Sequence, residues 1–188
     1  MASASPRRRF FLEQSKVNFE VWTPHVAETV EPGELPRDYA CRIAELKFKA
    51  ANRRFPDCPH IIIAADTIVS LGTEIFQKPE NRKQAEVFLK TLSGKWHQVI
   101  TALCCGRGNH MISTTEVSEV HFCKIEEQYL KIYLDSKEWC DKAGGYAIQG
   151  LASFFVDEIK GSMDNVIGFP FKSFIRLLHE YKEFKSGR

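Results

Sequence analysis

Eight polar residues of this 188-residue chain have the types that phosphate chemistry needs: Ser3, Arg7, Arg8, Glu28, Lys47, Asp66, Lys78 and Gln149. Four are cations and two are carboxylates, a set that suits a polyphosphate chelated to a divalent metal. Carboxylate oxygens are the hard ligands that Mg²⁺ or Mn²⁺ prefers, and water plus phosphate oxygens complete the octahedron. Arg and Lys offset the remaining phosphate charge and the charge that develops during transfer. A carboxylate beside the metal can orient or deprotonate an attacking water. Residue types alone do not bring the eight together; the elements that carry them must.

Of the N-terminal members, Arg7 and Arg8 lie in Ser5-Pro6-Arg7-Arg8 and Ser3 lies just ahead of it. Ser5 is expected to cap a helix, and Pro6 suits the first helical position, where its missing N–H costs nothing. Arg7 and Arg8 then fall in a first turn that is already electropositive. Cations placed there either tolerate repulsion or gather potential for an anion such as phosphate. An ordinary basic terminus with a helix cap is the competing reading. The helix is predicted from Pro6 to about Gln14, burying Phe10 or Phe11 and Leu12. Val17 to Trp22 alternates as a strand would, and an acidic loop from Pro24 to Pro32 carries Glu28.

Pro36 to about Arg54 reads as a long helix with Ala40, Ile43, Ala44 and Ala51 on its apolar side. Lys47 shares that side, where it either snorkels to water or serves a site. Ile61 to Ala65 is an unbroken apolar run, predicting a strand covered on both faces that stops at Asp66-Thr67. An Asp at such a strand end either belongs to a ligand site or caps the next turn. Lys78-Pro79 precedes a predicted helix from about Glu80 to Leu92, with Ala85, Phe88, Leu89 and Leu92 inward and Gly94 as terminator. Two long strands, Trp96–Cys105 and His110–Cys123, are joined by a glycine-rich turn. Ile125–Leu134 reads as a helix that packs Tyr129, Ile132 and Tyr133, Ala152–Ile159 as a strand, and Gly161–Gly168 as a loop. A last helix runs from Pro170 to about Phe184 with Phe171, Phe174, Ile175 and Leu178 inward. Interleaved helices and strands give an α/β class, and the central hairpin makes the sheet mixed.

Hydrophobic content of 44%, charged content of 27% and a net charge of +2 describe a globular domain. That charge is too small to argue for nucleic acid, no aromatic-basic interleaving marks a stacking platform, and no apolar run spans a membrane. The six cysteines form no CxxC or cluster with histidine, so reduced thiols are expected and neither a structural zinc nor a covalent Cys/His enzyme is supported. Cys104 and Cys105, adjacent in a strand, should face opposite ways. There is no GxxxxGK[ST] loop and no GxGxxG turn, so a nucleotide would be held by another arrangement.

Ala2-Ser3-Ala4-Ser5-Pro6-Arg7-Arg8 resembles the opening signature of the Maf family, the septum-formation-inhibitor-like nucleoside triphosphate pyrophosphatases. Ala65-Asp66-Thr67-Ile68-Val69 with Lys78-Pro79 resembles the family's central signature, and Leu92-Ser93-Gly94, His97, Val99 and Thr101 the next. Asp141 to Gly150 and Asn165 to Pro170 resemble the last two. The resemblance implies a single domain over residues 1–188, a two-lobed α/β fold around a central cleft like that of inosine triphosphatases, with no firm linker boundary. It also implies cleavage between the α and β phosphates, a divalent metal and a homodimer, while the reduced thiols make a cytoplasmic location the expectation. Ser3, Arg7 and Arg8 fall at the phosphate-binding motif, Glu28 at the acidic loop position and Lys47 at the helix lysine. Asp66 falls at the catalytic, metal-associated aspartate, Lys78 at the second lysine and Gln149 in the last pocket segment. The Gly-Gly-Tyr-Ala-Ile-Gln-Gly form of that segment resembles the branch acting on dTTP and UTP. The resemblance leaves open whether Asp66 or Glu28 is the principal metal ligand.

Two departures accompany it. The family carries an apolar strand ahead of the Ser3 motif, where this sequence has Met1, so the expectation is either that an upstream strand is missing from the sequence or that the chain starts short with a looser N-terminal wall. Met163 stands where an aromatic is common. The family's historical name also suggests a nucleotide-binding regulator linked to cell division, with little turnover.

Overall fold

β-Branched and alanine residues from Ile62 onward favour a pleated, buried backbone, and strand β1 spans Ile62–Leu71. The computed structural model describes residues 1–186. The strand does not stop at Asp66-Thr67 as the hydropathy suggests: the polar pair interrupts apolarity while Ile68 and Val69 sustain extension, leaving Asp66 near the middle. Gly72, at φ +59°, turns the chain into β2 (Glu74–Phe76), with Leu71 opposite Glu74 in an antiparallel pair. β3 (Trp96–Arg107), β4 (His110–Phe122) and β5 (Val156–Lys160) complete a sheet of order β2-β1-β3-β4-β5. β4 and β5 pair antiparallel, Val120 opposite Ile159, whereas Ala2 bridges Ala64 and Trp22 in the parallel sense. Pairing of both senses makes the α/β sheet mixed.

Chain packing resolves two units, and β1, β3 and β4 contribute residues to each. The first contains Met1–Asp66, Thr101–Glu116 and the chain from Gly168 onward. Its helices are α1 (Pro6–Gln14), α2 (Pro36–Arg54) and the C-terminal Phe171–Ser186 helix, α6. Leu12, Ile63, Ala65, Leu103, Cys105, Phe169, Phe174, Leu177 and Tyr181 form one apolar cluster. Cys104 points the other way, near Cys41 and Glu45 of α2, and burial pushes both adjacent thiols up to about 12. On α2 the buried stripe is Tyr39, Ala40, Ile43, Ala44, Phe48 and Ala51.

Three expectations change here. Val17–Trp22 forms no strand, only the Trp22 bridge, and its alternating Val17 and Val21 stay exposed. As expected α1 buries Leu12, and of the two phenylalanines it is Phe11 that packs, against Phe169 and Phe171, while Phe10 is exposed. On α6 the inward stripe is Phe174, Leu177 and Tyr181, and Ile175 lies outside it. Ser5 is the N-cap residue of α1 by position, but its side chain makes no capping bond.

The second unit comprises Thr67–Ile100 and Val117–Ile167. α3 (Arg82–Leu92) is capped by Asn81, whose side chain accepts from the Gln84 N–H at 2.9 Å. It ends at Gly94, where φ +70° suits glycine. α3 buries Ala85, Leu89 and Leu92 against Val69, Phe76, Val99, Phe122, Tyr133 and Tyr146. α4 (Glu127–Ser136) packs through Leu130, Tyr133 and Leu134; Tyr133 is inward as expected, whereas Tyr129 and Ile132 are exposed. Leu151–Phe155 is a 3₁₀ turn that shortens the expected strand, and a short helix α5 (Met163–Ile167) replaces the expected loop. Met163 is exposed on it. Among the described residues no helix is long and apolar enough to cross a membrane.

Candidate active site

Asp66 sits on the first unit's stretch of β1 with its side chain only 9% exposed. A carboxylate so desolvated needs a cation, and the Lys47 ammonium of α2 lies 2.7 Å from its Oδ1. The same ammonium lies 2.7 Å from Glu28 Oε1, so one lysine is shared by two carboxylates. Lys47 interrupts the apolar stripe of α2 to make this bridge, with its side chain 12% exposed. Burial holds the Asp66 carboxyl above its usual range, and Glu28 adds to the rise; Lys47 and Arg8 oppose it without reversing it.

The loop carrying Glu28 is irregular, so α2 must fix it. The Tyr39 hydroxyl donates to the Glu28 carbonyl at 2.9 Å, and Arg42 donates to Glu34 at 2.6 and 2.7 Å and to the Thr29 carbonyl at 2.8 Å. The Arg42 hydrogen bond holds the Glu34 carboxyl below its ordinary value. These anchors were not singled out in the sequence; their signal was Tyr39 and Arg42 three residues apart on the helix that also carries Lys47.

Arg7 and Arg8, neighbours in sequence, take different environments. Arg8 is 7% exposed. Its Nε donates to the Gly168 carbonyl at 3.0 Å and its Nη1 to Ser3 Oγ and the Ala65 carbonyl at 2.9 Å each. One guanidinium thus ties together the Ser3 motif, the peptide preceding Asp66 and the start of the last segment. Burial pushes Arg8 down to about 10, with Asp66 opposing the shift. Ser3 is itself buried, accepts from the Ser5 N–H at 3.2 Å, and follows Ala2, whose N–H donates to the Ile63 carbonyl at 2.7 Å. The expected looser wall is therefore pinned by backbone bridges and by Arg8. Arg7 is half-buried, and burial lowers its pKa.

Lys78 and Gln149 belong to the second unit, and both are exposed. Lys78 lies between Gln77, whose carbonyl accepts from the Gly144 N–H at 3.1 Å, and the buried Pro79. Gln149 lies in a turn closed by the Gly150 N–H on the Ala147 carbonyl at 3.2 Å. Ahead of that turn the Tyr146 hydroxyl meets His97 Nε2 at 2.7 Å in a buried aromatic group with Phe122.

His97 gives a pH test of this core. Burial pushes the ring from about 6.5 down to about 4, so between those values the unfolded chain binds a proton that the folded chain refuses. The stability that neutral His97 contributes is whole above pH 6.5 and is lost as pH falls toward 4, about 3 kcal/mol in all. Urea unfolding from pH 7 to 4.5 should show this loss in the wild type and a flatter profile in His97→Gln. Parallel profiles would reject it.

A family model described as "Maf-like protein" matches residues 1–181. The chain belongs to the Maf family. It is similar to a Pyrococcus abyssi protein named dTTP/UTP pyrophosphatase, 39% identical over 178 residues, covering 95% of this chain and 93% of the relative. A Cereibacter sphaeroides protein of the same name is 41% identical over 179 residues, covering 95% and 92%. A third so named, from Acinetobacter baylyi, is 38% identical over 184 residues, covering 98% and 100%. Within this Maf chain, the structure brings Ser3, Arg8, Glu28, Lys47 and Asp66 together in the first unit.

Proposed function

We propose that this Maf-family chain is a nucleoside triphosphate pyrophosphatase. It cleaves the α–β phosphoanhydride of dTTP, UTP or modified pyrimidine triphosphates, giving a nucleoside monophosphate and pyrophosphate. The observation that carries this reading is the Lys47 ammonium shared at 2.7 Å by Glu28 and Asp66. It occurs in a chain similar over almost its whole length to dTTP/UTP pyrophosphatases.

The donor set fits a hard divalent cation. Two carboxylates already converge on one compact positive group, and Mg²⁺ is commonly held by one or two carboxylates with substrate phosphates and water. Glu28 and Asp66 would hold Mg²⁺ or Mn²⁺, which when bound supplies charge neutralisation at phosphate oxygens and a more acidic water. Asp66, its pKa raised by burial, accepts the proton of the attacking water. The water oxygen bonds to phosphorus as the bridging bond breaks, and pyrophosphate leaves with the electron pair. Lys47 keeps the paired carboxylates ionised and takes up negative charge as it develops. Ser3, Arg7 and Lys78 hold the triphosphate, and Gln149 places the water or the metal. Arg8 adds positive potential while its hydrogen bonds hold Ser3 and the Ala65 carbonyl. A single functional domain and a homodimer, supported by the family resemblance, and a cytoplasmic location, supported by the expected reduced thiols, complete this reading.

Pyrophosphate release over a panel of canonical and modified triphosphates tests it. Release should require Mg²⁺ or Mn²⁺, vanish with EDTA, and favour dTTP and UTP over purines. Equal rates on purine triphosphates would overturn the specificity; tight triphosphate binding without turnover would point to a regulator instead.

A further inference from the structure

The second unit holds a buried polar assembly that the chemistry above leaves unused. Tyr146 and His97 are buried, and a hydroxyl removed from water is costly unless it finds a partner. The Tyr146 hydroxyl and His97 Nε2 supply one another at 2.7 Å. Immediately before Tyr146, the Tyr133 hydroxyl donates to the Gly145 carbonyl at 3.1 Å. The backbone from Gly145 to Tyr146 is therefore fixed to the core at two successive residues.

Lys78 and Gln149, both exposed, border that fixed segment. Gly144 has φ +66°, and a Cβ there would lie 2.9 Å from Val69, so the turn lies tight against β1. The Gly144 N–H bonds the Gln77 carbonyl, and a Cβ at Gly145 would sit 3.6 Å from Pro79. Both neighbours of Lys78 thus rest on the glycine pair. On the other side, Gln149 sits in the Ala147–Gly150 turn, with the Leu151 N–H bonded to the Glu138 carboxylate at 2.8 Å. A Cβ on Gly150 would strike that carboxylate, which closes the far end of the turn.

We propose that Tyr146 and His97 are positioning residues that set Lys78 and Gln149 for the reaction by fixing the Gly144–Gly150 segment. The proposal rests on the roles given above to Lys78 and Gln149. An error of about 1 Å in a positioned group costs up to roughly a hundredfold in rate, so a frame of this kind acts on kinetics as well as on stability.

The test is a set of double-mutant cycles with dTTP, measuring kcat and KM beside the melting temperature. Tyr146→Phe keeps the ring and removes the hydroxyl; it should lower kcat about tenfold and raise KM about threefold. In a Gln149→Ala background its kcat effect should shrink below about twofold, and in Lys78→Ala its KM effect should shrink likewise. His97→Leu, which removes the partner of the tyrosine hydroxyl, should lower kcat by a similar factor, and His97→Gln, whose amide can still meet that hydroxyl, should restore part of the loss; wild-type constants in His97→Leu would overturn the role given to His97. A Tyr146→Phe protein that melts lower but keeps wild-type constants would overturn the proposal, as would effects that simply multiply in both backgrounds. Wild-type kinetics in Lys78→Ala and Gln149→Ala would overturn it by removing the residues it acts through. The Asp66 reading would survive that result and falls only to its own substitution.

Discussion

Asp66→Asn should reduce pyrophosphate release from dTTP by about a thousandfold while the protein stays folded, within the range that removal of a general base produces. The carboxamide is nearly isosteric, and its oxygen can still accept from Lys47 Nζ, which now sits 2.7 Å from Oδ1. What disappears is the negative charge, with the capacity to take a proton from water and to ligate a cation. The melting temperature should hold or rise, because the buried carboxylate carries a desolvation cost that the neutral amide avoids. Glu28→Gln should cost less, since the Glu28 side chain is 42% exposed and partly served by water. Rates measured at saturating Mg²⁺, beside thermal unfolding, separate lost chemistry from lost fold. A fully active Asp66→Asn protein would end the mechanism.

How much of this was legible in the sequence follows from which interactions are local. The amphipathic stripe of α2, the Gly94 stop of α3 and the long β3–β4 pair are written in spacing and turn residues. The continuation of β1 past Asp66 was hidden because a polar pair breaks hydropathy without breaking extension. Val17–Trp22 failed in the opposite way: it alternates, yet a strand needs a partner, and only Trp22 has one. The site shows the same division. The residue types of Lys47, Asp66 and Glu28 could be picked out, and the family resemblance assigned their roles. That one ammonium serves both carboxylates depends on the Tyr39 and Arg42 anchors, which join residues 8 to 13 positions apart and leave no periodic trace. Arg7 and Arg8 look alike in sequence because burial differs between successive side chains on a helix. The Ser3, Ala65 and Gly168 acceptors single out Arg8.

Lys47→Met should be damaging in two separable ways. Methionine preserves most of the length and the apolar stem along α2, so packing loss is small. The ammonium is lost, and Asp66, its side chain 9% exposed, is left facing Glu28 with Arg8 as the remaining cationic influence. Breaking a buried ion pair from one side costs about 3–5 kcal/mol. The value here should fall near 3 kcal/mol, the lower end of that range, because Glu28 can turn to water and Asp66 can take up a proton. Protonation removes the base and the metal ligand together, so turnover should fall at least a hundredfold at neutral pH. The double variant Lys47→Met/Asp66→Asn separates the two losses. With no buried carboxylate left to strand, stability should return most of the way to wild type while activity stays absent. If the double variant is as unstable as Lys47→Met alone, the cost lies in packing and the charge argument fails. If it recovers, the shared lysine is what allows a carboxylate to remain ionised at this depth in β1.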